Sequence, residues 1–233
     1  MDDLSPQGAP GTRALRKQNI DSLVLDPKRE WSRSLRGSPR DVTFVSFLAY
    51  ASEGTVFEIG GATLQVKPGL KAGYAQIVLG VPAGYEGRAP SFAGLVKIER
   101  HDTASLAALP VLTLRLDPTG GTWDLYLFQR LVAADVPLAD PKGSRRFSIA
   151  AGKEGAWLCG LILADENPLF VDANANGIDD AFEQQKRGSL LGAASTVAER
   201  GALIAQWQGA QTAANLKAWK IRRLVPDVVA ASR

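Results

Sequence analysis

The chain has 233 residues, of which 45% are hydrophobic and 22% charged, with a formal net charge of +3. That length suits one large domain or a medium domain with appendages, and the apolar share excludes a wholly disordered chain. One cysteine, Cys159, excludes an internal disulfide framework, and no apolar run approaches the roughly 20 residues that span a bilayer. Residues 1–40, rich in Pro, Gly, Ser and Arg, read as a poorly ordered lead-in with one short extended piece, Ile20-Asp-Ser-Leu-Val-Leu25. The N-terminus has neither a basic n-region nor an apolar h-region, so no signal peptide is visible. Arg29, Arg33, Arg36 and Arg40 form a basic cluster that could bind an anion, but no aromatic ladder or Gly-rich cradle accompanies them, which favours a solvated face; the mild net charge does not call for nucleic acid.

Residues 41–171 carry a β pattern. Candidate strands are 42–51, 55–66, 74–81, 94–100, 111–116, 122–128, 130–137, 146–150 and 156–163, each rich in β-branched or aromatic residues and bounded by Gly, Pro or Asp. In Val111-Leu-Thr-Leu-Arg-Leu116 the period is two, so Leu112, Leu114 and Leu116 share a face opposite Thr113 and Arg115. The same alternation puts Trp123 and Tyr126 on opposite faces. Many strands and few helical stretches imply a mainly β fold, an antiparallel jelly-roll-like β-sandwich with a short α-helical C-terminal segment. The run Arg115–Val132, with its Trp-Asp-Leu-Tyr strand, resembles the signature hairpin of concanavalin A-like (laminin G-type) jelly rolls, and Gly155-Ala-Trp-Leu-Cys-Gly-Leu-Ile-Leu163 resembles their closing strand. Gln129-Arg130 stands where those folds have Asn-Gly, which disfavours a two-residue type I′ turn.

Residues 172–183, Asp-Ala-Asn-Ala-Asn-Gly-Ile-Asp-Asp-Ala-Phe-Glu, place oxygen donors at positions 1, 3, 5, 9 and 12 of a twelve-residue loop, with Gly177 at position 6. Calcium takes six to eight oxygen ligands at about 2.3–2.6 Å, and this spacing supplies them. Asp172, Asn174 and Asn176 offer side-chain oxygens, Ile178 its carbonyl, Asp180 a direct or water-bridged oxygen, and Glu183 a bidentate carboxylate. The stretch resembles the EF-hand loop, and more closely the bacterial and thrombospondin type 3-like calcium repeats. Asp179 occupies position 8, where a paired EF-hand prefers an apolar residue, and Ile178 comes one place earlier. An ion-free turn rich in Asp, Asn and Gly uses the same residue types, but not usually with every donor in register. No second copy is present, because Leu116-Asp-Pro-Thr-Gly-Gly121 lacks the ligand ladder.

Residues 184–233 form the C-terminal segment. The spacing predicts a short exit helix over 180–186, stopped by Gly188, and a second helix opened by the capping box Thr196-x-x-Glu199. Val197, Ile204 and Trp207 would share a face with Leu203 beside them, while 215–233 is compatible with either helix or strand.

Catalytic signals are sparse. His101, followed by Asp102, is the lone histidine, and no Gly-x-Ser-x-Gly elbow, Walker loop or zinc spacing appears. Glu58 and Glu99 are an unmarked carboxylate pair, Tyr85 and Phe92 are candidates for sugar stacking, and Cys159 reads as a buried inert thiol. Two readings follow. One is a non-catalytic, extracytoplasmic calcium-binding module with a structural or ligand-binding role, its partner a polysaccharide or another extracellular protein. The other is a carbohydrate-active enzyme or lectin of the concanavalin A-like type, which the resemblance implies.

Overall fold

A computed structural model describes residues 20–35, 41–68, 74–82, 91–97, 107–108, 111–140, 145–192 and 195–221. The chain forms two compact units, Met1–Gly177 and Ile178–Arg233.

The first unit is a β-sandwich. Its strands are β1 (Ile20–Leu25), β2 (Glu30–Ser34), β3 (Thr43–Ala51), β4 (Val56–Ile59), β5 (Ala62–Pro68), β6 (Tyr74–Gly80), β7 (Ser91–Lys97), β8 (Ala107–Ala108), β9 (Leu112–Asp117), β10 (Thr122–Leu127), β11 (Arg130–Pro137), β12 (Arg146–Ala150) and β13 (Ala156–Ala164). One sheet runs β1-β13-β3-β9-β10-β11 with β8 against β3, and the other runs β2-β12-β4-β5-β6-β7. Every pairing in both sheets is antiparallel. Alternation along each strand sends one set of side chains inward, so the two inner faces meet in one apolar core. Phe47 of β3 bridges that core, 5.5 Å from the Phe57 ring and 5.4 Å from the Phe147 ring of the opposite sheet. Leu112, Leu114, Leu116, Trp123 and Leu125 point into the same core.

The strand pattern departs from the sequence expectation at several places, among them the two-residue β8, which no candidate strand covers. The expected single strand 55–66 is two, because Gly60 and Gly61 adopt φ +55° and +92° and fold the chain into a hairpin with Ile59 opposite Ala62. Positive φ at both turn residues suits a two-residue type I′ connection, and glycine enters it without steric cost. The 1–40 segment contributes two strands: β1 pairs with β13, and β2 pairs with β12. β2 escaped notice because Glu-Trp-Ser-Arg-Ser is an edge strand with Trp31 as its one large apolar residue. The β10–β11 turn is two residues long, with Leu127 opposite Arg130, but only Phe128 takes a positive φ, +55°, so it is not the type I′ turn that the sequence disfavours. β7 begins at Ser91 rather than Gly94.

The second unit holds α1 (Asp180–Arg187) and α2 (Val197–Ile221). Asp179 caps α1 by accepting the Ala181 N–H at 2.9 Å, and Gly188 ends it at φ +76°. α2 starts on the expected capping box: the Glu199 N–H donates to Thr196 Oγ1, and Glu199 Oε2 accepts the Thr196 N–H at 2.7 Å. Leu203, Ile204 and Trp207 are buried, but Val197 is 80% exposed and stays out of that face, since the first turn lies beyond the packed stretch. The ring of Trp207 lies 6.4 Å from Phe182. The helix takes in 215–221; residues 222–233 lie outside the described residues.

Phe47→Ala removes the side chain that joins the two sheets and, because Phe47 is buried, leaves a cavity in the core. It should lower unfolding stability by about 3–5 kcal/mol, read as a fall in the urea midpoint at unchanged m-value. A change below about 1 kcal/mol would mean that Phe47 does not join the sheets.

Candidate metal centre

The outward faces of β9 and β10 are not in water. Arg115 is 4% exposed, and Thr113, Asp124 and Tyr126 are fully buried. The register places Arg115 directly opposite Asp124. The Arg115 guanidinium donates from Nη1 to Asp124 Oδ2 at 3.4 Å, from Nη2 to Asp117 Oδ2 at 3.0 Å, and from Nε to the Ala175 carbonyl at 2.6 Å. Burial alone would lower its pKa, but the carboxylates of Asp124 and Asp117 outweigh that and raise it above the ordinary arginine value. Asp124 Oδ1 also accepts the Asp135 N–H at 2.9 Å. Next along β10, the Tyr126 hydroxyl donates to the Gly177 carbonyl at 2.5 Å, and the Tyr126 ring meets Phe170 edge-on at 5.9 Å.

This face therefore carries the first half of the expected calcium loop. Within that half, the Ala175 N–H donates to the Asp172 carbonyl at 3.1 Å and the Asn176 N–H to Asn174 Oδ1 at 3.3 Å. Asp172 Oδ2 accepts the Gly177 N–H at 2.9 Å and the Asn167 amide at 3.1 Å. Its second oxygen, Oδ1, is buried with no hydrogen-bond partner. Burial pushes the Asp172 carboxyl above the usual carboxylate range, although Asn167, Gly177, Asn176 and the Arg115 charge pull the other way. Gly177 sits at φ +83°, and a Cβ there would lie 2.5 Å from the Tyr126 hydroxyl and 2.9 Å from Asp124 Oδ2. The glycine expected at position 6 is thus required twice, by the left-handed backbone and by the close approach of the sheet. Ala175 takes a positive φ of 53° without being glycine, under the Arg115 Nε bond.

The other predicted donors belong to the second unit, whose boundary falls between Gly177 and Ile178. Ile178 and Glu183 have no exposed surface and Asp180 is 8% exposed; the two acids lie in the first turn of α1. Acidic groups there complement the helix dipole, with or without an ion. Asp179, which breaks the EF-hand pattern at position 8, is the N-cap of α1. Among the described residues no group of three or more His, Cys, Asp or Glu side chains is gathered as a metal would need.

Elsewhere, Glu58, Gly61, Thr63, Ala139, Asp140, Arg146 and Ser148 line an open cavity of about 290 Å³ on the outer face of the second sheet. Its polar row follows from register, with Ser148 opposite Glu58 and Glu58 opposite Thr63. Cys159 is partly exposed rather than buried in the core, because it falls on the outward side of β13; desolvation still raises its thiol pKa. Glu99, His101, Asp102, Tyr85, Arg36 and Arg40 lie outside the described residues, as does the side chain of Phe92, while Arg29 and Arg33 are exposed. No protein-family model and no curated protein matches the chain.

Sequence reasoning had missed Asn167, Arg115, Asp117, Asp124 and Tyr126 as supports for the loop. A signal existed: counting outward from the Pro118–Gly121 turn places Arg115 and Asp124, of opposite charge, across from each other. Arg115→Met should cost about 3–5 kcal/mol, because it strands the buried Asp124 carboxylate. The exposed Lys153–Glu53 pair is the contrast, and Lys153→Ala should leave the urea midpoint unchanged. Equal effects of the two substitutions would remove the distinction.

Proposed function

We propose that the chain is a non-catalytic, extracytoplasmic β-sandwich module that binds calcium at the 172–183 loop for a structural purpose. The observation that carries this reading is the buried Asp172 Oδ1 without a partner. Three buried side-chain polar atoms lack partners among the described residues: Trp123 Nε1, Arg145 Nη1 and Asp172 Oδ1. The first two are N–H donors, which no cation relieves. Only the third is an anionic acceptor, and it belongs to the residue that the loop spacing assigns to position 1.

Asn174, Asn176, Ile178, Asp180 and Glu183 would supply the remaining oxygens, and Gly177 allows the turn between them. The bound ion would supply charge neutralisation and cross-linking of oxygens, with no reaction step. Three carboxylates and two neutral amides make a shell of modest charge, which suits a dissociation constant on the order of 10⁻⁵ to 10⁻³ M. Such an affinity fits the millimolar calcium outside cells, which supports the extracytoplasmic placement.

Because the ion would bind only the folded loop, stability should rise by RT ln(1 + [L]/Kd), about 2.7 kcal/mol at a hundredfold excess over Kd. The check is the melting temperature in 5 mM calcium against EGTA, for the parent and for Asp172→Ala. The parent should melt higher with calcium, and the variant should keep its β signal while losing the difference. Equal melting temperatures for the parent in both buffers would leave the loop as a turn without an ion.

A further inference from the structure

The loop is fastened to the sheet at two points that the ligand spacing does not use. The Arg115 Nε donates to the carbonyl of Ala175, and the Tyr126 hydroxyl donates to the carbonyl of Gly177. These two bonds bracket Asn176, the position-5 donor. The residues between them are in backbone conformations that need holding, since Ala175 has φ +53° and Gly177 φ +83°. Two further bonds, from the Gly177 N–H to Asp172 Oδ2 and from the Asn176 N–H to Asn174 Oδ1, orient the donor side chains against that same backbone.

We propose that Tyr126 and Arg115 are positioning residues that set the calcium affinity of the loop from the sheet side. This rests on the calcium reading above. Neither residue supplies a ligand oxygen. Each fixes a carbonyl whose peptide plane sets the direction of the loop, so the donors are already oriented when an ion arrives. A loop that is in its ligating shape for only a fraction of the time binds more weakly by that fraction, so loosening the fastening should raise the apparent Kd. Tyr126 gives the cleaner test, because its hydroxyl can be removed without changing charge, whereas the Arg115 guanidinium also repels a cation.

The experiment compares the full-length parent with Tyr126→Phe by calorimetric titration with calcium chloride. In parallel, hydrogen exchange of the Ala175 and Gly177 amides is followed in EGTA. The variant should bind about fivefold more weakly, the factor that one net hydrogen bond is worth, and the two amides should exchange faster by a similar factor. A merely structural tyrosine would lower the melting temperature and leave Kd unchanged. Should Tyr126→Phe fail to fold, Arg115→Lys, which keeps the positive charge beside Asp124 and Asp117 but loses Nε, should shift Kd and exchange in the same direction. If the parent binds calcium and the variant binds with the same Kd, the positioning role is overturned and the calcium reading stands. If the parent binds no calcium at 10 mM, both fall.

Discussion

A guanidinium has been put where almost no water reaches it. Arg115 lies on the outward face of β9, 4% exposed, and every one of its contacts serves to make that burial tolerable. Moving a charge out of water costs several kcal/mol, which is recovered only if opposite charges and hydrogen bonds replace the lost hydration. Asp124 across the strand pair and Asp117 along the same strand supply the charge, and the carbonyl of Ala175 supplies the third acceptor. The loop carbonyl is therefore part of the arginine's solvation. This ties the course of the chain at 170–177 to the β9–β10 hairpin more firmly than apolar contact alone would.

The same arrangement explains a departure from ordinary sandwich patterning. An antiparallel sheet usually shows alternating apolar and polar residues when one face meets the core and the other meets water. Here β9 reads apolar-polar in the usual way, yet its outward residues Thr113 and Arg115 are as buried as its leucines. The polar set is satisfied locally: Thr113 Oγ1 donates to Ser46 Oγ at 2.9 Å across the strand pair, and Arg115 and Tyr126 reach the loop backbone. The exception is Asp172 Oδ1, the one buried side-chain acceptor among the described residues left without a partner. That imbalance, at the head of an oxygen-donor ladder, is the physical argument for a cation.

Much of the fold was legible because its signals are local. The inward leucines of β9, the opposed faces of Trp123 and Tyr126, the Gly188 stop and the Thr196–Glu199 capping box each need only a few neighbouring residues to be read. What was not legible depends on partners distant in sequence. β2 is a strand because β12 lies beside it, more than a hundred residues later, and nothing within Glu30–Ser34 announces that. The glycine pair that splits β4 from β5 was hidden inside a continuous β-like run. At the loop, spacing singled out the glycine that the backbone requires, but the sheet residues that fasten the loop lie some fifty to sixty positions earlier. A charged residue inside an alternating strand was the clue, and it gains meaning only when the hairpin register is known.

The central claim is that a calcium ion satisfies Asp172 Oδ1. Crystals grown from calcium-containing solution test it most directly, with data collected at a wavelength where calcium scatters anomalously. The account predicts an anomalous peak at about 2.3–2.6 Å from Asp172 Oδ1, surrounded by at least six oxygens that include Asn174 and Asn176. A water molecule or a protein N–H group at that oxygen, with no anomalous signal, would contradict it.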